Sequence, residues 1–168
     1  MELGPLIAAY DRSAETYDAR FLALQAPKIR GLRAALPTPL PTPAVDLGAG
    51  TGLVARMTGS RPLALDASAE MLARALDPRV RADLHRLPLR TGAFGLAWMV
   101  TSLVDFGDPG PAIREVRRVL APGGWLALSV LRREDLGALE RALTAGGLEV
   151  VVRLDLGQDA GYVARAAG

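Results

Sequence analysis

Residues 45–52 read VDLGAGTG: a short apolar run that ends in an acid, then three glycines in five residues. A loop between a strand and a helix N-terminus presents unpaired backbone N–H groups, and glycine removes the side chain that would hold a ligand off them. Gly48, Gly50 and Gly52 therefore read as a backbone cradle. A dinucleotide fingerprint is spaced G-x-G-x-x-G; here the spacing is G-x-G-x-G, with Leu53 where the third dinucleotide glycine would fall. Asp46, two residues before the first glycine, would repel a pyrophosphate and suits a ligand with a positive amino group. The loop argues against NAD and for a cationic nucleoside. Two more acids close apolar runs: Asp66 ends PLALD and Asp83 ends VRAD. Asp66 stands where an acid accepts hydrogen bonds from ribose hydroxyls, and Asp83 where it would receive an adenine amino group. Capping a helix or turn is the plainer role for any one of them. Three acids at adjacent strand ends line the crevice where ligands bind in open α/β sheets.

The rest of the chain is patterned to hold those groups. Leu6, Ala9, Tyr10, Ala14, Tyr17, Phe21 and Leu24 recur at helical spacing, so residues 1–36 are expected to form an N-terminal helical segment. LPTPLPTPA, with Pro37, Pro39, Pro41 and Pro43, follows as a stiff extended strap over 37–43. From residue 44 strands alternate with helices: AVDL, TGLVARM, PLALD, SAEMLARAL, VRADL, LAWMV, PGPAIREVRRVL, GWLALSV and REDLGALERALTAG. Such alternation predicts a parallel sheet with helices on both faces. LEVVVRLDL and GYVARAA, joined by the short GQDAG, predict a closing hairpin and one antiparallel strand.

The length of 168 residues predicts one compact domain, and the hydrophobic half of the composition is enough for a core. With no cysteine, disulfides, thiolate metal sites and cysteine nucleophiles are excluded, and no metal site is read. No apolar run is long enough to span a membrane, and Glu2 with no basic region ahead of an apolar core argues against a secretory signal. The expectation is a cytoplasmic protein with no membrane partner. Net charge is +2, too small to argue for nucleic acid; Lys28 is the only lysine among twenty basic residues.

With these residues in view, the chain resembles the class I S-adenosylmethionine-dependent methyltransferases of the methyltransferase domain 11 type. The resemblance rests on VDLGAGTG, LALDASAEML, ADLHRLPLRTGAF and DPGPAIREVRRVLAPGGWLALSV, the last similar to an E-x-x-RVL-x-PGG signature, and runs from about YDRSAETYDARF to the end. It implies a Rossmann-like three-layer α/β sandwich whose seven-stranded, mostly parallel sheet has the order 3-2-1-4-5-7-6, with residues 44–168 as the methyltransferase domain and 1–36 as a lid. It implies S-adenosyl-L-methionine as cofactor. Gly48, Gly50 and Gly52 would face its methionine and ribose, Asp46 its amino group and Asp66 its ribose hydroxyls. Ala67 and Met71 would border the adenine, and Asp83 with the Leu84 backbone would hold its amino edge. Tyr17 would belong to the lid. Three departures stand out: Gly95 in place of a frequent aspartate, no histidine at Val104 or Asp105, and a short helix after the glycine loop.

The methyl group of such a cofactor is already activated, so catalysis needs an acceptor held in line and a base only for an acceptor that must lose a proton. Candidate groups are Thr101 and Asp105 in MVTSLVDF and His85, the only histidine. No Asn-Pro-Pro-Tyr follows the fourth strand, and without a thiolate, covalent attack on a pyrimidine ring is excluded. Arg79, Arg81, Arg86 and Arg90 fall near the expected site mouth and would greet an acidic substrate. The expected activity is methyl transfer to oxygen, nitrogen or an acidic carbon of a small molecule, with a side chain on a macromolecule as the other acceptor class. A non-catalytic cofactor-binding or regulatory module of the same fold is the competing reading.

Overall fold

The computed structural model describes residues 3–104 and 107–168. Two helices, α1 (Leu3–Ser13) and α2 (Tyr17–Ala34), precede β1 (Ala44–Leu47), α3 (Leu53–Thr58), β2 (Leu63–Asp66), α4 (Ala69–Leu72) and β3 (Arg79–Arg81). The chain continues through β4 (Phe94–Val100), α5 (Gly110–Val119), β5 (Leu120–Leu131), α6 (Leu136–Ala145), β6 (Leu148–Leu156) and β7 (Asp159–Ala166). The strands form one sheet in the order β3-β2-β1-β4-β5-β7-β6. The first five run parallel, and β7 is antiparallel to both β5 and β6.

Strand pleating divides the core. On one face Val45, Leu47, Leu65 and Leu128 pack under α5 and α6 through Ile113, Val116, Leu139 and Leu143. On the other, Leu96, Trp98, Ala127 and Val163 pack under Ile29 and Leu32 of α2 and Leu53 and Val54 of α3. Because β1 residues alternate, Asp46 falls on the α2–α3 face although its neighbours Val45 and Leu47 serve the opposite core.

Several elements differ from their sequence patterns. The N-terminal segment is broken at residues 14–16, and the C-terminal half of α2 is a core layer rather than a cover: Ile29 and Leu32 are buried against the sheet. The SAEMLARAL pattern yields only four α-helical residues. VRADL forms a strand only over Arg79–Arg81, so Asp83 lies in a turn beyond the strand end, where it bridges to Arg86. Gly95 has a packing reason: a Cβ there would sit 3.1 Å from the Thr42 carbonyl oxygen, because the proline strap crosses this position and Pro43 accepts from the Gly95 N–H. No helix among the described residues is long and apolar enough to cross a membrane.

Candidate functional site

The glycine loop turns at the carboxyl end of β1, with φ of 76°, 54° and 81° at Gly48, Gly50 and Gly52. All three lie in the left-handed region that favours glycine. The Gly50 N–H donates to Asp66 Oδ2 at 2.8 Å and the Ser68 N–H to Asp66 Oδ1 at 2.8 Å. The acid at the end of β2 is thus aimed by two backbone donors and keeps acceptor capacity on each oxygen. Burial raises its pKa, against the opposing pull of the Ser68, Gly50 and Ala67 N–H groups.

These groups open onto a cavity of about 310 Å³. Gly48, Gly50, Asp66, Ala67, Ser68 and Met71 form one wall, Asp83, Leu84 and His85 one end, and residues 100–104 the other side. Leu6, Ile7 and Tyr10 of α1, with Tyr17, lie across it. Two carboxylates fasten that cover. Asp11 Oδ1 accepts from Ser68 Oγ at 2.5 Å and from the Glu70 N–H at 3.3 Å. Asp18 accepts from Thr51 Oγ1 at 2.6 Å and pairs with Arg56.

Of the residues singled out in the sequence, Gly48, Gly50, Asp66, Ala67, Met71, Asp83, Leu84, Tyr17, Thr101 and His85 all border this one cavity. Asp46 lies one layer beneath, on a small void of about 40 Å³ that shares Tyr17, Gly48, Gly50 and Val100 with the cavity. It is 2% exposed, and no described residue donates to its carboxyl group. Burial, then the neighbouring Asp66, pushes its pKa up to about 8. Gly52 is placed elsewhere: a Cβ there would meet Ala75 Cα at 3.1 Å, so this glycine serves close packing at the start of α3 and does not face the cavity. Asp105 lies outside the described residues.

The two remaining catalytic candidates are engaged. Thr101 Oγ1 donates to Asp159 Oδ2 at 2.8 Å and accepts from Lys28 Nζ at 3.0 Å, which commits the hydroxyl to structure. His85 Nδ1 is 2.8 Å from Asp83 Oδ1, an oxygen that also accepts the His85 N–H. Burial acts to raise the Asp83 pKa, but these His85 contacts outweigh it and the net shift is downward. Half of the arginine cluster is structural too. Arg79 pairs with Asp77 and donates to the carbonyls of Leu72 and Ala73, and Arg81 donates to the Ala67 carbonyl.

A second hollow, about 360 Å³, adjoins the first and shares Leu6, Tyr10, Tyr17, Thr101 and Val104 with it. Its walls are apolar and aromatic: Ala9, Phe21, Leu24 and Leu131, with Tyr17 and Phe21 stacked at 4.8 Å between centroids. Its charged lining is cationic, from Arg20, Lys28 and Arg133, and includes no aspartate or glutamate among the described residues. Tyr17 borders both hollows and the void at Asp46. Burial pushes its pKa up to about 12, so its hydroxyl keeps its proton.

No sequence pattern singles out Ser102, which borders the main cavity with a buried Oγ that has no hydrogen-bond partner among the described residues. None singles out Asp11 and Asp18 either, whose partners are 57 and 33 residues away. The isolation of Lys28 among arginines is visible as composition, but nothing in the chain points to Asp159. The close fit of Ser102 on the loop makes one expectation sharp. A Cβ on Gly48 would fall 2.3 Å from Ser102 Cβ, at a φ of 76°. Gly48→Ala should therefore lower stability by about 1–3 kcal/mol through overpacking, read as a drop in urea midpoint.

Residues 45–128 match the Methyltransferase domain family. A malonyl-[acyl-carrier protein] O-methyltransferase from Pseudescherichia vulneris is 34% identical over 146 residues, covering 82% of this chain and 58% of that protein. The corresponding enzyme from Dechloromonas aromatica is 38% identical over 130 residues, 73% of this chain and 49% of that protein. The chain thus spans about half the length of these curated relatives. Among solved structures, a Thermotoga maritima S-adenosylmethionine-dependent methyltransferase, described as a possible histamine N-methyltransferase, superposes with a TM-score of 0.76 at 22% identity, covering 93% of this chain and 97% of the other. That likeness is one of fold.

Proposed function

This chain belongs to the methyltransferase domain family of class I S-adenosylmethionine-dependent methyltransferases, and on that premise we propose that it moves a methyl group from S-adenosylmethionine to an anionic oxygen acceptor. The cofactor would occupy the cavity at the glycine loop, and the acceptor the adjoining aromatic groove. The observation that carries this reading is the convergence of a backbone cradle and Asp66 on one cavity, with a buried carboxyl group that no described residue donates to on the adjoining void.

The residues present fit the cofactor. Asp46 is a buried acid waiting for a cation, which the amino group would provide. Gly48 and Gly50 leave no room for side chains at the loop: a Cβ on Gly50 would press on Met71 at 3.1 Å. Asp66 retains acceptor sites for two hydroxyls, and Ser102 Oγ, without a partner among the described residues, lies on the opposite wall. Ala67, Met71, Asp83 and Leu84 form the end suited to a flat base with an amino edge. Bound there, S-adenosylmethionine supplies a sulfonium-activated methyl group.

The chain's own contribution is placement and exclusion of water. Tyr10, Tyr17, Thr101 and Val104 wall the junction between the two hollows. None of the described groove residues is a free base: Tyr17 holds its proton, the Thr101 hydroxyl is committed, and His85 does not border the groove. An acceptor already ionised, such as a carboxylate, needs no base. Arg20 at the groove favours the same charge, beside Arg133, which pairs with Glu134. The names of the relatives, O-methyltransferases of a malonyl group on a carrier protein, agree with a carboxylate-bearing acyl acceptor.

Calorimetry with S-adenosylmethionine, S-adenosylhomocysteine and NAD tests the cofactor assignment; binding of NAD with neither of the other two would reverse it. A methyl-release assay should show turnover with a soluble malonyl thioester and none with its methyl ester. Binding without release across carboxylates, amines and phenols would instead mark a regulatory module. Asp66→Ala should weaken S-adenosylhomocysteine binding by about 1.5–3 kcal/mol, the worth of hydrogen bonds to a charged group; an unchanged dissociation constant would remove the ribose role.

A further inference from the structure

Among the described residues Thr101 is the single non-glycine residue with positive φ, at 53°. For a β-branched residue this is an outlier, and it persists only where the surroundings over-determine it. The surroundings here come from three other elements. The Thr101 N–H donates to the Ser129 carbonyl of β5 at 2.9 Å. Its hydroxyl donates to Asp159 of β7 at 2.8 Å and accepts from Lys28 of α2 at 3.0 Å. Lys28 Nζ also lies 2.8 Å from Asp159 Oδ1, with side-chain exposures of 7% and 0%.

A buried ion pair is a weak source of stability, since desolvation offsets most of the attraction, so its presence asks for another reason. The segment just after Thr101 supplies one. Residues 101–104 border the main cavity, Thr101 and Val104 border the second hollow as well, and Ser102 lies against Gly48 so closely that no side chain fits between them. The left-handed turn at Thr101 is what swings the chain from the end of β4 onto the glycine loop. We propose that Lys28 and Asp159 are positioning residues. Together they clamp Thr101 in its left-handed conformation and thereby set Ser102 and the wall shared by cofactor and acceptor. The Lys28 ammonium bridges the hydroxyl and the carboxylate at once. The inference rests on the cofactor reading for its ligand, but not for its backbone geometry.

The experiment uses the full chain and S-adenosylhomocysteine. Lys28→Met with Asp159→Leu removes both charges and keeps the site apolar, so no lone charge remains to unfold it. This variant should bind about tenfold more weakly, the conformational cost of one such residue read as an equilibrium constant. Adding Thr101→Gly should restore affinity, because glycine adopts positive φ without strain. A role confined to stability would not be rescued this way. Independently of ligand, amide exchange at Thr101 and Ser102 should quicken in the double variant while Met99 in β4 stays protected. Should the double variant fail to fold, Thr101→Val, which exchanges the hydroxyl for a methyl group and keeps the β-branch, must show the same faster exchange. A folded double variant with unaltered exchange and affinity, or no rescue by glycine, overturns the proposal. If the unsubstituted protein ignores S-adenosylhomocysteine, the cofactor reading falls and the exchange data alone decide this inference.

Discussion

Asp46→Asn is expected to make the ligand-free protein more stable and the cofactor complex much weaker. The carboxyl group is buried with no donor among the described residues, and burial with the charge of Asp66 lifts its pKa to about 8. In the unfolded chain it ionises near the ordinary aspartate value of about 3.9. The folded state therefore holds a proton that the unfolded state has lost between those two limits. Stability attached to this group is complete below about pH 4, declines as pH rises, and is fully lost above about pH 8. Asparagine does not ionise. Its advantage over aspartate should be absent at low pH, grow through neutrality, and level off on the order of 5 kcal/mol at most above pH 8. Thermal melts at several pH values would show the two curves converging in acid and diverging in base; parallel curves would contradict the buried ionisation.

Cofactor binding should move in the opposite direction. An ammonium group seated at Asp46 favours the ionised carboxylate, so binding below about pH 8 releases a proton from the protein, and affinity climbs toward that pH. Above it the ligand's own α-amino group, with an ordinary pKa of about 7.7–8.0, loses its charge and affinity falls again. Asp46→Asn removes the acid limb of this profile and costs about 2–5 kcal/mol of binding at the optimum. Calorimetry in two buffers of different ionisation enthalpy reads the proton release directly. A group that weakens the empty fold and strengthens the filled one is kept for its ligand.

The second large effect is expected at Lys28. Lys28→Met alone leaves Asp159, which is 0% exposed, as a buried charge without its cation. Loss of one partner from such a pair typically costs about 3–5 kcal/mol. The double replacement with Asp159→Leu should recover most of that loss, since a buried pair exchanged for apolar groups is often neutral or stabilising. Urea unfolding of the two single variants and the double variant gives the coupling energy. A single Lys28→Met variant as stable as the parent would mean that Asp159 finds its compensation elsewhere.

The two effects differ in how visible their residues were before folding. Asp46 was legible because its chemistry is local: its distance from Gly48 is set by covalent geometry, and the strand–loop–helix pattern around it decides its direction. The same holds for Asp66, whose partner Gly50 lies 16 residues earlier in the same β1–α3–β2 unit, and for the sheet, whose apolar runs and hairpin encode neighbour pairing. Lys28 was legible only as an oddity of composition, because Thr101 and Asp159 lie 73 and 131 residues further along the chain.

From the order of its residues alone, this protein is committed to an α/β sheet with an acid-flanked glycine loop at the end of its first strand, because periodicity and turn chemistry act over a few residues. Only the tertiary structure set Gly52 against Ala75, placed Asp83 beyond its strand, made half of α2 core, and joined Thr101 to Lys28 and Asp159. Each of those outcomes depends on contacts between distant segments, which form after burial has chosen which faces meet, and no local pattern carries that choice.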